Sequence, residues 1–403
     1  MKIIELTETQ FKNYSTMHSS RNYFQTVEYA NTRPSYQKLY LGFISEGNNT
    51  LMGAVLILEN NVGKFKTGIV NGGFLIDYDN DNLFKDFITN LKNYLKSKKY
   101  VYVEVSNRTT YKIFDKQGKV LYYDTNIIKI LDELSFVKTN KFINREVVIE
   151  TEKTPNETYK MFNSNTKRNI NLALQRAISI YKDENNNIDT LLNLTKDSNA
   201  EEIKTLLKNF NTKNNTAEIY FAKIDPEQWV NNYRFLLKEE EKNNNKLNSI
   251  LQDPKTKKSN SLITKKMQSD KLIIKYNQEI IKATNIYTKY PDGAIIGAVL
   301  IIKNNREVYF LYEGYNKDLQ DFYSSHLIKW EIIKKYLTLG YKIINFGNIK
   351  NMNKTNGDYL FKMGFGGKVY EYIGTYDLIV NKWLYRLIKL INKIKKMILS
   401  KKS

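Results

Sequence analysis

The chain has no cysteine and only two histidines, His18 and His326, which lie far apart in sequence. The first absence excludes a disulfide frame, a thiol nucleophile and a Cys-ligated zinc. The second leaves no histidine cluster for a metal, so neither metal nor cofactor is expected. A long apolar run is also missing: the longest, AIIGAVLII from Ala294, is too short to cross a bilayer. The opening MKIIELTETQFKNYSTMHSS lacks the apolar core of a signal peptide and is interrupted by Glu5 and Glu8. These absences predict a cytoplasmic protein, soluble or bound peripherally to the inner face of a membrane.

What is present fits a globular chain of more than one domain. There are 403 residues, 41% hydrophobic and 13% aromatic, too many for one small core and too apolar for disorder. The formal net charge of +21 suggests a polyanionic partner: tRNA, a lipid pyrophosphate or an anionic membrane surface. Part of that charge is compositional background, because the chain is saturated with Lys, Asn, Ile and Tyr.

An internal repeat defines the organisation. GAVLILENN from Gly53 and GAVLIIKNN from Gly297 are nearly identical strand-and-turn segments. Each precedes another strand, an amphipathic helix (Leu83 to Leu95; Phe322 to Leu337) and a further strand (Tyr100 to Val105; Tyr341 to Phe346). Two copies of one α/β unit follow. Neither copy contains the R/Q-x-x-G-x-G/A turn with which acyl-CoA acetyltransferases cradle pyrophosphate, which disfavours an acyl-CoA donor.

The stretch YKIINFGNIKNMNKTNGDYLFKMGFGGKVYEYIG from Tyr341 to Gly374 places Phe361 and Lys362 among Gly364, Gly366 and Gly367, between two strand patterns. Glycines at that density allow close approach of a ligand to the main chain, or simply connect two strands. The stretch resembles the C-terminal signature of the Fem family, the non-ribosomal peptidyltransferases that build the peptidoglycan cross-bridge from aminoacyl-tRNA. That signature is a strand ending in D-F-G-G-I, then G-x-Y-x-F-K-x-G-F-G-G, then V-x-E-Y-I-G. Here it reads through Asn345 to Ile349, then Gly357, Tyr359, Phe361, Lys362, Gly364 to Gly367, and Glu371 to Gly374. Asn345 replaces the usual Asp, which removes an acid or base from that position.

The resemblance implies two tandem acetyltransferase-like (GNAT) domains. It also implies Lys362 acting on the ester or tRNA terminus, Phe361 stacking on a terminal base, and Tyr359 beside them. Three further segments fit it. KTGIVNGGFLIDYDN resembles the family's R-G-P-V-I-D-Y, with Asp77 as a substrate-site candidate. YFQTVEYANTR resembles the entry segment near the acceptor site, where Arg33 stands as the basic residue. SNTKRNINLALQRAISI resembles K-T-R-R-N-I, whose arginine is associated with the precursor's diphosphate, a role carried to Arg168 with Lys167 beside it. Independently, Lys167 and Arg168 near a helix start that opens at Ser164 or Asn165 oppose the helix dipole unless an anion offsets them; a solvated basic turn is the alternative. The strand YVYVEVSN ends in Ser106 and Asn107 where relatives commonly carry Asp-Pro, and no general base stands out.

Residues 226–289 read as an antiparallel helical hairpin inserted in the second domain. Trp229, Tyr233, Leu236, Leu247 and Ile250 face Ile263, Met267, Ile274 and Ile281 across a turn at DPKTKKSNS. Its lysines suit tRNA phosphates or ordinary solvation equally. The tail from Lys382 puts Trp383, Leu387, Ile391, Ile394 and Ile398 on one face and Lys382, Arg386, Lys389, Lys393 and Lys396 on another, with no acidic residue. That is the pattern of a helix on an anionic membrane, or of one packed on the domain.

The expected architecture is therefore α/β: a first GNAT-like domain over 1–150, a second over 151–225 and 290–380, the coiled-coil arm, and a basic tail over 381–403. The expected activity is transfer of an amino acid from aminoacyl-tRNA, the co-substrate, to the stem-peptide or side-branch amine of a peptidoglycan precursor, lipid II or UDP-MurNAc-pentapeptide. The alternatives are an inactive relative that binds RNA and membrane and, less favoured, an acyl-CoA-dependent acyltransferase.

Overall fold

A computed structural model describes residues 1–139, 144–195, 199–253 and 259–400, the last nine of these by backbone only. The first half runs β1 (Lys2–Glu5), α1 (Glu8–Met17), α2 (Val27–Asn31), β2 (Gln37–Ile44), β3 (Leu51–Val62), β4 (Phe65–Asn71) and α3 (Asp81–Ser97). It continues through β5 (Tyr100–Phe114), β6 (Val120–Tyr123), α4 (Asn126–Glu133) and β7 (Phe136–Lys138). The second half begins β8 (Arg145–Glu150), α5 (Pro155–Met161), α6 (Ser164–Gln175), β9 (Ile178–Lys182), α7 (Ile188–Thr195), α8 (Ala200–Asn209) and β10 (Thr216–Ile224). After the hairpin of α9 (Pro226–Gln252) and α10 (Asn260–Lys289) come β11 (Ala294–Lys303), β12 (Glu307–Tyr315), α11 (Ser324–Thr338) and β13 (Ile343–Asn348). The chain closes with α12 (Gly357–Met363), β14 (Lys368–Ile379) and α13 (Lys382–Ser400).

All the strands described join one mixed sheet. Its main path is β1-β2-β3-β4-β5-β14-β8-β13-β12-β11-β10-β9. The repeat is visible in that order, because β2-β3-β4-β5 and β10-β11-β12-β13 run towards each other from opposite ends. Each pairs its last two strands in parallel across a helical crossover, α3 or α11. The strands β8 and β14 join the copies. Although β8 lies within the first 150 residues, it hydrogen bonds to β13 and β14 and so belongs with the second unit. The last strand, β14, pairs along most of its length with β5 of the first.

The reasons are local and then tertiary. The GAVLI segments are buried on both sides, as continuous apolar strands must be. Helix α3 is capped by Asn80, whose side chain accepts from Leu83 N at 3.0 Å. Its Leu83, Phe84, Phe87, Ile88, Leu91 and Leu95 form one stripe against Leu41, Val55, Ile57, Val103 and Val105. A third cluster crosses the halves, packing Phe11, Tyr23, Leu56 and Leu75 with Leu191, Ile203, Leu206 and Ile219. Each such side chain contributes about 1.5–3 kcal/mol on burial, so the halves are held as one body.

The hairpin emerges between antiparallel neighbours β10 and β11, as an insert should. Pro226 sits in the first turn of α9, and Asp225 caps it by accepting from Gln228 N at 2.9 Å. Its root is locked by Arg176 at the end of α6, bidentate to Glu279 at 3.0 and 2.8 Å. The seam differs from the expected one by a single residue. On α10 the packed side is Leu262, Ser269, Ile273, Tyr276, Ile280 and Ala283, whereas Ile263, Met267, Ile274 and Ile281 face out. Two adjacent stripes carry the same spacing, and the one with Ser269 is chosen because buried Asn244 donates to Ser269 Oγ (3.0 Å) and Asp270 Oδ1 (2.8 Å) across it. Most of the turn expected at DPKTKKSNS lies outside the described residues. Among the described residues, no helix is long and apolar enough to cross a membrane.

Candidate active site

The sheet's central strands β5, β8, β12, β13 and β14 meet at a buried ionic cluster. Arg108 of β5 places Nη2 2.7 Å from Glu146 Oε2 and 3.0 Å from Glu307 Oε1, with Nη1 3.2 Å from Glu307 Oε2. Asn345 Nδ2 donates to both carboxylates at 2.7 Å, while its Oδ1 accepts from Gly347 N at 2.8 Å. Glu146 also accepts from Tyr309 Oη (3.1 Å) and Tyr372 Oη (2.8 Å). Burial works to raise the pKa of Glu307, but the Arg108 charge and the Asn345 amide outweigh it and hold the carboxyl below its ordinary range. The Asn345 departure thus has a structural reason. An Asp there would set a third carboxylate against two already sharing one guanidinium.

Two cavities flank this cluster and share Gly72 and Arg108 in their walls. The larger, about 680 Å³, is bounded by Tyr23, Glu146, Tyr309, Glu313, Asp358 and Lys362. The smaller, about 320 Å³, reaches Asp77, Tyr78, Arg306 and Tyr370.

Lys362 reaches the larger cavity from α12, a short helix where a strand-connecting loop was expected. Asn356 caps it, accepting from Tyr359 N at 3.2 Å. Lys362 is 6% exposed, and its ammonium donates to Asn348 O at 2.8 Å and to Asp358 Oδ2 at 3.2 Å. An ammonium has three donors, so one remains for a ligand. The surrounding glycines serve packing. A Cβ on Gly364 would lie 2.4 Å from Thr166 Oγ1 of α6, and Gly366, at φ +76°, sits against Met161 of α5. They bring α5 and α6 onto α12 rather than opening the main chain to a ligand.

Beneath Phe361 lies a residue that sequence reasoning missed. Lys329 of α11 is 1% exposed and pairs with Glu313, with the rings of Phe310, Phe346 and Phe361 within 4.8–5.7 Å of its Nζ. Burial, helped by the Lys362 charge, lowers its pKa, and Glu313 works the other way. The one sequence sign was a lysine inside the apolar run of LIKWEII. The Phe361 ring also packs edge-on to His326 at 4.7 Å and to Phe365 at 5.6 Å, so it is engaged within the protein. Burial, with Lys329 nearby, pushes His326 down to about 4, keeping it neutral.

The remaining candidates are placed as follows. Tyr359 is buried in the core of the second half, off both cavity walls. Asp77 lines the smaller cavity and accepts from Asp79 N at 3.0 Å. Arg33 lies outside both linings; it is 3.4 Å from Glu202 and stacked 5.2 Å over Tyr29 at the contact of α2 with α8. Asn163, one residue before the expected caps, caps α6 by accepting from Thr166 N at 2.7 Å. On that helix Lys167 donates to Lys160 O at 2.8 Å, and Arg168 is exposed with no ion pair among the described residues. Of the sequence candidates, Lys362 lines the larger cavity, whereas the neighbouring Phe361 lies off both walls. Arg33 and Asp77 are kept apart from them.

Comparison with known proteins agrees with this architecture. The chain is 22% identical over 414 residues to "Lipid II:glycine glycyltransferase" of Staphylococcus epidermidis, covering 96% of this chain and 95% of that one. It is 24% identical to "Aminoacyltransferase FemB" of the same species, covering 98% and 100%. The crystal structure of FemX superposes with a TM-score of 0.74 at 18% identity, over 96% of this chain and 100% of that one, which shows the fold. The profile of the FemAB family matches residues 6–393, and the chain belongs to that family.

Proposed function

We propose that the chain is an aminoacyltransferase that moves an amino acid from aminoacyl-tRNA to the stem-peptide or side-branch amine of a peptidoglycan precursor, building the interpeptide bridge. The observation that carries this is the family match over residues 6–393. The larger cavity, with Lys362 in its wall, supports it. Relatives that include a lipid II glycyltransferase favour lipid II as acceptor over the nucleotide-linked precursor. The reaction then runs at an anionic membrane surface to which the chain attaches peripherally.

An amine attacking an activated ester needs alignment, stabilisation of the carbonyl oxygen and loss of one proton. The free donor of Lys362 meets the oxyanion. Glu146 and Glu307 are saturated by Arg108, Asn345 and two tyrosines, which suits them to hold the floor rather than to take protons. Glu313, in the same cavity and paired with Lys329, keeps lone pairs for the proton of the attacking nitrogen. The nitrogen–carbon bond forms, the ester carbon–oxygen bond breaks, and the proton passes to the departing ribose oxygen. Arg168, exposed on α6, remains the candidate for the acceptor's diphosphate. The test is transfer of labelled amino acids from a mixed charged-tRNA pool to lipid II and UDP-MurNAc-pentapeptide. Ribonuclease-sensitive labelling is expected. Retention of tRNA by folded protein without any transfer would favour a binding-only relative.

A further inference from the structure

The final helix, α13, is fastened on one side and bare on the other. Tyr385 Oη donates to Asp377 Oδ2 at 2.8 Å, and Lys389 Nζ lies 2.7 Å from the same oxygen. Asp377 is fully buried in β14, so this pair neutralises a charge that could not otherwise stay there. Lys389 also sits over the rings of Tyr102 (5.1 Å) and Tyr385 (5.2 Å). At 100° per residue, Trp383, Leu387, Leu390 and Ile391 fall in one stripe away from Tyr385 and Lys389. All four are exposed, Trp383 by 71%. Lys382 and Arg386 flank that stripe along one edge, and no acidic residue occurs from Lys382 to Ser403.

The docking side of α13 is also the cavity side of the sheet. In the antiparallel register Asp377 faces Glu104, and Thr375 faces Ser106. Tyr102, Glu104 and Ser106 alternate onto one face of β5, ahead of the register irregularity that follows Asn107. Ser106 and Arg108 line the larger cavity. From Tyr102 beneath α13 to Ser106 at the cavity is four residues, or roughly 13 Å at about 3.3 Å per residue.

We propose that α13 is a docking surface for an anionic lipid bilayer, fastened by Asp377 so that the cavity is held beside the lipid–water boundary. The apolar stripe enters the headgroup region, and the flanking cations meet lipid phosphates. Cations without the stripe would fit RNA equally; the stripe selects lipid. The proposal deepens the reading above, since a lipid-linked acceptor could then reach the cavity without leaving its membrane.

The test is co-sedimentation of the full chain with vesicles of phosphatidylglycerol and phosphatidylcholine, or phosphatidylcholine alone, with no tRNA or acceptor present. Binding to the anionic vesicles is expected, weakening with salt. A Trp383→Ser, Leu387→Ser variant, altered only at exposed positions, should keep its thermal midpoint and bind on the order of tenfold more weakly. Equal binding by that variant, no preference for anionic vesicles, or a concentration-dependent dimer that the variant abolishes without any vesicle binding would each overturn the proposal. In transfer assays the variant should lose activity on vesicle-embedded acceptor and keep it on a soluble nucleotide-linked acceptor. Vesicle binding without transfer to any acceptor would leave the docking surface standing and sink the transferase reading instead.

Discussion

Two charged groups face the same cavity and differ in how completely they are satisfied. Around Arg108, two carboxylates, an amide and two tyrosine hydroxyls are drawn from four strands besides its own, and apart from Arg108 Nε every side-chain polar atom of the group is paired. Around Lys362 and Lys329, two cations and two carboxylates sit among phenylalanine rings, with donors and lone pairs to spare. The first arrangement joins the two copies of the fold. The second has the unsatisfied valences a reaction can use. On the proposed function, satisfaction more than charge or depth separates framework from chemistry here.

Breaking the satisfied group should cost stability most. Arg108→Met leaves Glu146 and Glu307 buried without their cation and should cost about 3–5 kcal/mol, read as a lowered denaturant midpoint. A fall under 1 kcal/mol would mean the cluster is not integral to the sheet.

Asn345→Asp probes the same group with less damage. The new carboxyl meets two existing carboxylates, so its folded pKa is raised and it prefers to bind a proton. Its penalty is small below about pH 4, grows through roughly pH 4 to 6, and above that holds at about 2–3 kcal/mol, from a rise of roughly two pH units at 1.36 kcal/mol each. A penalty independent of pH would contradict the charge argument.

The smallest effect belongs to the edge of the second group. Burial holds His326 neutral down to about 4, whereas the unfolded chain takes up a proton below 6.5. Stability from this difference is complete above 6.5 and is lost as pH falls towards 4. In His326→Asn that acid-side loss should shrink by on the order of 1–2 kcal/mol, seen by comparing thermal midpoints at pH 7 and pH 4.5.

Much of the fold could be read from residues adjacent in sequence. The two GAVLI segments announced the duplication, Pro226 and Tyr290 bracketed the hairpin, and the lysine-flanked stripe from Trp383 marked the last helix. The misreadings arose where neighbouring options carried the same pattern. Ile263 and Met267 outbid Leu262 and Ser269 by hydrophobicity, although a buried Asn244 needed Ser269. The glycines after Lys362 suggested ligand approach but serve helix contact at Thr166 and Met161. The Arg108 cluster was invisible because Arg108, Glu146, Glu307, Asn345 and Tyr372 meet only through strand order. No spacing connects them. Lys329 escaped for a related reason, since nothing in the run LIKWEII says that its one cation is buried against Phe361.

The most direct measurement is single-turnover transfer by wild type and Lys362→Met from charged tRNA to lipid II, with thermal midpoints taken alongside. If Lys362 stabilises the oxyanion, the variant should lose roughly 10²–10³-fold in rate, equivalent to about 2.7–4 kcal/mol, while its midpoint moves by only a few degrees. Near-normal transfer by a folded Lys362→Met variant would contradict the assignment of this cavity as the reacting site.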